Sequence, residues 1–197
     1  MAVLQGATGV ITRGWFEFNN ADSGGGLQAD GTVRADGPEF TRNHARRFGG
    51  AIDHDFGDSV FKRTTVTGDT AGLDGGAVDI DLGTIEFVDS KIRNNTSAGT
   101  RGGGIYNNCG SVTLGHSTVR GNASTVAPGG VFTLNQFTVI RSTIASRCGS
   151  SMTERAGHTM PAPRRPGPGR DAVPVLKDAA PARHPVPAQG RPHNSFG

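Results

Sequence analysis

The sequence predicts an all-β fold, a right-handed parallel β-helix (solenoid) of about five coils with a disordered C-terminal tail. Three observations carry this prediction. A Gly-Gly step recurs in GGGL (24–27), GGAI (49–52), GGAV (75–78), GGGI (102–105) and GGVF (129–132), at spacings of 25, 26, 27 and 27 residues. A second block aligns without gaps in five copies: GTVRADGPEF from Gly31, GDSVFKRTTV from Gly57, GTIEFVDSKI from Gly83, GSVTLGHSTV from Gly110 and NQFTVIRSTI from Asn135. Within the copies, short apolar runs follow period 2, as in Val112-Thr113-Leu114, and no stretch follows the helical period.

Along the chain, residues 1–15 read as a partial first coil or a frayed N-terminus, and 16–146 as the stacked repeats. A coil of short strands cannot bury its own apolar side, so it needs neighbours above and below. Stacking sets equivalent residues about 4.8 Å apart. The third block position then forms one interior ladder (Val33, Ser59, Ile85, Val112, Phe137) and the fifth a second (Ala35, Phe61, Phe87, Leu114, Val139). The tenth forms a third (Phe40, Val66, Ile92, Val119, Ile144). Three residues further on, Asn43, Asp69, Asn95 and Asn122 mark a bend. A stack of polar side chains there joins backbone groups that the turn leaves unpaired. An antiparallel sandwich would show two-residue hairpin signals, which are scarce here. A propeller blade needs a repeat of about 40 residues.

Candidate chemistry sits just after the Gly-Gly steps. IDHDFG (52–57) aligns with VDIDLG (78–83), which stacks Asp53 on Asp79 and Asp55 on Asp81. The alternation turns Val78, Ile80 and Leu82 to the core and the carboxylates outward, with Tyr106 and Asn108 next in the column. The preferred reading is an open, solvated strand face. The second is a calcium-type site in which Asp53, Asp55, Asp79 and Asp81 supply the oxygen ligands that a hard cation prefers. The third is a carboxylate pair of the kind used in glycoside cleavage. No catalytic residue is assigned, and calcium is the single cofactor that the pattern suggests.

His54 falls in the inward column and reads as a buried, hydrogen-bonded histidine rather than a base. His44 and His116 lie at bends without a zinc-type spacing. Cys109 and Cys148 are too few for a disulfide framework. The glycine-rich RGGGIY (101–106) is a coil turn rather than a phosphate loop. Asn95-Thr96-Ser97 and Asn122-Ala123-Ser124 match the glycosylation pattern, which matters only in a glycosylating host.

GGAI, GGAV and the Phe-x-x-Asn segments FEFN (16–19) and FTRN (40–43) resemble the repeats of chlamydial polymorphic outer membrane proteins. GGGIYNNCGSVTLGHSTVRGNAS (102–124) is similar to related β-helix proteins predicted in actinobacteria. The resemblance spans about residues 16–146. It departs in later copies, where Val66, Ile92 and Val119 replace the Phe and Asp69 replaces one Asn. It implies a secreted or surface-displayed, non-catalytic scaffold with adhesive or structural work, and carbohydrate or a surface protein as partner. The alternative is part of a carbohydrate-active enzyme, a polysaccharide lyase or glycoside hydrolase, working through the Asp cluster.

Gly is 31 of 197 residues, about twice the usual share. No apolar run approaches the ~18 residues of a membrane helix, and the first 20 residues lack the basic start and apolar block of a secretory signal. The net charge of +3 hides a contrast: residues 1–146 carry −2 and residues 147–197 carry +5, with 9 of the 11 prolines. The basic balance belongs to the tail, so the repeats give no nucleic-acid signal. Register is lost at Arg147, where the next ladder Asn is due. Residues 147–197 read as a disordered Pro/Arg-rich tail, either natural or, as the abrupt loss favours, the product of a shifted frame. The repeats then read as a fragment of a longer helix, whose uncapped ends favour end-to-end self-association.

Overall fold

The computed structural model describes residues 1–99, 101–126 and 128–146; the tail expected over 147–197 lies outside them. The first coil holds β1 (Ala2–Val3), β2 (Thr8–Thr12), β3 (Trp15–Glu17) and β4 (Asn20–Ala21), and the second β5 (Leu27–Ala29), β6 (Thr32–Asp36), β7 (Glu39–Thr41) and β8 (His44–Ala45). The third holds β9 (Ile52–His54), β10 (Asp58–Lys62), β11 (Thr65–Thr67) and β12 (Thr70–Ala71), and the fourth β13 (Val78–Ile80), β14 (Thr84–Val88), β15 (Lys91–Arg93) and β16 (Thr96–Ser97). Then come β17 (Ile105–Asn107), β18 (Ser111–Gly115) and β19 (Thr118–Ser124), followed by β20 (Val131–Thr133), β21 (Phe137–Ile140) and β22 (Thr143–Ser146).

All pairings between these strands are parallel and join one coil to the next. The first sheet runs β1-β5-β9-β13-β17-β20 and the second β2-β6-β10-β14-β18-β21. The third joins β3-β7-β11-β15-β19 to a short ladder of two-residue strands, β16-β12-β8-β4, because β19 runs straight through the bend. The result is the parallel β-helix that the repeat predicts, about five turns long. The first coil carries all four strand positions even though no Gly-Gly step announces it.

The three apolar columns fill the interior. Val33, Phe40, Phe61, Val66, Phe87, Val112, Leu114 and Val119 are fully buried. Phe16 stacks on Phe40 at 4.6 Å and Phe61 on Phe87 at 5.2 Å between ring centroids, a geometry that adds to the area they bury. In the last described coil Val139 is 40% exposed. The Gly-Gly step has two separate causes. Gly75 holds φ +63°, and a Cβ there would meet Val78 O at 2.6 Å; at Gly76 a Cβ would meet Gly103 O at 2.2 Å. The first glycine reverses the chain, and the second lets the next coil approach.

Candidate functional site

The expected polar ladder is present and continuous. Asn43 N–H and Nδ2 donate to Asp69 Oδ1 at 2.7 and 2.8 Å. Asp69 N–H donates to Asn95 Oδ1 at 2.8 Å, and Asn95 N–H to Asn122 Oδ1 at 2.9 Å. Each amide also reaches back one coil to a strand carbonyl: Asn43 to Phe16 O, Asn95 to Val66 O and Asn122 to Ile92 O. Asn19 extends the stack downward, donating to Asn43 Oδ1 at 2.8 Å. Asn95 and Asn122 are completely buried, so both glycosylation patterns are consumed by structure.

A second ladder escaped the sequence reading. Thr64 N–H donates to Ser90 Oγ at 3.0 Å, Ser90 N–H to Ser117 Oγ at 3.0 Å, and Ser117 N–H to Ser142 Oγ at 2.8 Å. All four residues occupy the eighth block position, so a column of Thr64, Ser90, Ser117 and Ser142 was available in the alignment. Its function is structural.

The acidic column is aligned as expected: Asp53 pairs with Gln28 below and Asp79 above, and Asp79 with Tyr106. Asp81 N–H donates to His54 O, and Asn108 N–H to Ile80 O, which continues the neighbouring column. Burial departs from expectation. Asp53 is 5% and Asp79 2% exposed, with Asp55 and Asp81 half-buried. The open, solvated face is therefore corrected to a covered one. Residues of the turns that precede these strands lie beside the column. Arg101 donates to Tyr106 Oη at 2.9 Å, and Asp74 adds its charge to those acting on Asp79. Leu82 is also corrected: it is 43% exposed, because the chain bends after Ile80 and the alternation ends there.

Burial dominates the electrostatics. It pushes Asp79 up to about 9, reinforced by the charges of Asp53 and Asp81. Asp53 rises to about 7, again through burial first and then through Asp55 and Asp81. Asp55 is raised as well, by burial and by Asp30. Gln28 Nε2 bridges Asp30 and Asp55 at 3.0 Å each, and Asn108 Nδ2 reaches Asp81 at 3.2 Å. Asp79 Oδ1 is buried with no partner. Among the described residues, ion pairs join Asp22 to Arg46 and Arg47 and Asp36 to Arg63, and none reaches this patch. No three His, Cys, Asp or Glu side chains among those residues converge as a preformed metal centre would require.

His54 is fully buried and its Nε2 lies 3.1 Å from Thr84 O. Burial lowers its pKa, which keeps the ring neutral and suits a core position. His44 contacts Thr70 Oγ1 at 2.9 Å, and Cys109 is an exposed free thiol. Cys148 lies outside the described residues. No helix among the described residues is long and apolar enough to cross a membrane. Compared with known proteins, the chain matches no family model, no curated protein and no solved structure.

Proposed function

We propose that the protein is a non-catalytic β-helical scaffold that works outside the cell or on its surface and binds carbohydrate or another protein through a flat sheet face. One observation carries this reading. The acidic cluster, the described group with the clearest catalytic chemistry, is buried at its centre, with Asp79 2% and Asp53 5% exposed, whereas the third sheet lies open. There the outward columns run Glu39, Thr65, Lys91, Thr118, Thr143 and Thr41, Thr67, Arg93, Arg120. These side chains are exposed or half-exposed. Hydroxyls and cations stacked about 4.8 Å apart present a repeating row of donors to an extended ligand. The likeness of the repeats to those of polymorphic outer membrane proteins points the same way. A site grafted on a solenoid decides function, and the solenoid alone does not.

The test is a panel of immobilised polysaccharides and surface proteins probed with the full chain, read for retention and for release of reducing ends. Retention without release, weakened by Lys91→Glu with Arg93→Glu, is the expected result. Release that disappears in Asp53→Asn and Asp79→Asn would overturn the scaffold in favour of the carbohydrate-active alternative.

A further inference from the structure

We propose that the open face of the third sheet docks a second copy of this chain, face to face and with the coil axes antiparallel. The inference rests on the reading of that face as the binding surface and names its partner. The charges along the face carry it. Register stacks the two outward columns, from the first coil upward, as Trp15, Glu39, Thr65, Lys91, Thr118 and Glu17, Thr41, Thr67, Arg93, Arg120. Carboxylates lie below the third coil, cations above it, and uncharged threonines within it. Glu17, Glu39, Lys91 and Arg120 are exposed and Arg93 is half-buried. Among the described residues, none of these five takes part in an ion pair. Arg93 stacks directly on Arg120, a like-charge contact across neighbouring strands that a carboxylate from outside relieves.

A twofold axis running along β11, through Thr65 and Thr67, reverses the order of the coils and keeps each column opposite itself. Glu39 then meets Lys91 of the second copy, and Glu17 meets Arg120. The symmetry repeats both contacts, so the same four residues make four ion pairs. Trp15, 72% exposed, comes over Thr118 and gives each end of the contact an aromatic anchor. Arg63, at the corner of the coil on the axis, approaches its own copy with its charge already answered by Asp36. The parallel arrangement, with the twofold along the coil axis, crosses the two columns within each coil. It sets Lys91 against Arg93, and like charges brought together across an interface oppose it. Charge therefore selects the antiparallel dimer. The face spans five coils at about 4.8 Å and three residues across each strand, roughly 20 Å by 10 Å. Such a contact lies below about 1,200 Å² in total, so the dimer is weak and transient, and salt weakens it further.

The experiment is sedimentation equilibrium of the full chain at sub-millimolar concentration, without polysaccharide, in low and in high salt. The wild-type chain dimerises, and salt weakens the association. Lys91→Glu alone, or Glu39→Lys alone, sets like charges opposite each other at both symmetric positions and weakens the dimer by about tenfold or more. Mixed in equal amounts, the two variants associate again, because every Glu of one chain then meets a Lys of the other. Both positions are exposed, so the melting temperature of each variant stays near that of the wild type, and a merely structural role gives no such recovery on mixing. Three results would overturn the proposal: a chain that stays monomeric throughout, a dimer indifferent to both variants, or no recovery in the mixture. A monomer whose retention on polysaccharide is nonetheless lost in Lys91→Glu with Arg93→Glu would leave the face as a glycan site, so the two readings fail separately.

Discussion

Two polar stacks rise through the same coils with the same spacing, and they fare differently. At the bend after the third sheet, Asn43, Asp69, Asn95 and Asn122 are bound to one another and to the backbone. On the first sheet, Asp53 and Asp79 are stacked as regularly, and Asp79 leaves an oxygen bare. An amide carries both donor and acceptor, so a column of amides satisfies itself at every step. An ionised carboxylate only accepts, so stacking it multiplies repulsion. A solenoid therefore amplifies whatever hydrogen-bonding capacity a position holds, whether complementary or frustrated.

The largest expected effect breaks the satisfied stack. Asn95→Ala leaves the buried Asp69 N–H without its acceptor and removes the side-chain donor to Val66 C=O, while Asn122 Oδ1 keeps only the backbone N–H of residue 95. The loss is about 3–5 kcal/mol in denaturant unfolding. A loss below about 1 kcal/mol would show that the ladder decorates the bend rather than holding it.

Relieving the frustrated stack comes next and has the opposite sign. Folding raises Asp79 to about 9 and Asp53 to about 7 from a reference of 3.8. Their contribution is thus fully present below about pH 3.8 and is lost as pH rises through 7 and then 9. In calcium-free buffer the melting temperature should fall steadily from pH 4 to pH 9. Asp79→Asn, neutral in both states, should stabilise the fold by about 2–4 kcal/mol at pH 7 and flatten that profile. A profile that rises over this range would remove the frustrated-stack account.

Much of this was legible before the fold was known, and the reasons for the gaps are physical. The Asn ladder recurs at a fixed offset from an apolar column, so its role follows from register alone. The partners of the carboxylates were legible for the same reason, but their burial was not. It depends on the turns that precede the strands, which bring Arg101 to Tyr106 and the charge of Asp74 to bear on Asp79, and the strand period does not encode how such a turn folds. The corner between the second and third sheets was also silent. Its left-handed residues are Arg13, Gly37, Arg63, Asp89, His116 and Arg141, and five of them lack the glycine that usually marks such a turn.

Asp69 joins the two stacks, being a carboxylate set into the amide ladder. The amides at Asn43, Asn95 and Asn122 each donate to a strand carbonyl one coil below, and Asp69 has no amide to do so; its Oδ2 is buried and unpartnered. Burial raises it to about 6, partly offset by hydrogen bonds from Asn43. Its contribution is lost as pH rises through about 6, so Asp69→Asn should stabilise by about 1–3 kcal/mol at pH 7 and by little at pH 4. An equal gain at both pH values would assign the effect to packing instead.

The smallest effect separates two kinds of satisfied ladder. In the serine column Ser90 Oγ accepts from Thr64 N–H and donates to Val88 O at 2.8 Å, and no bond joins its hydroxyl to that of Ser117. Ser90→Ala leaves the buried Thr64 N–H unmet, a loss of about 1–2 kcal/mol. The asparagine rungs differ, because Asn95 Nδ2 donates directly to Asn122 Oδ1 at 3.0 Å. A double-mutant cycle should therefore give a coupling of about 1 kcal/mol or more for Asn95 with Asn122. For Ser90 with Ser117 it should lie within about 0.5 kcal/mol of zero. Equal couplings would mean that stability spreads through the backbone of the coil, so that side-chain complementarity no longer distinguishes one column from another.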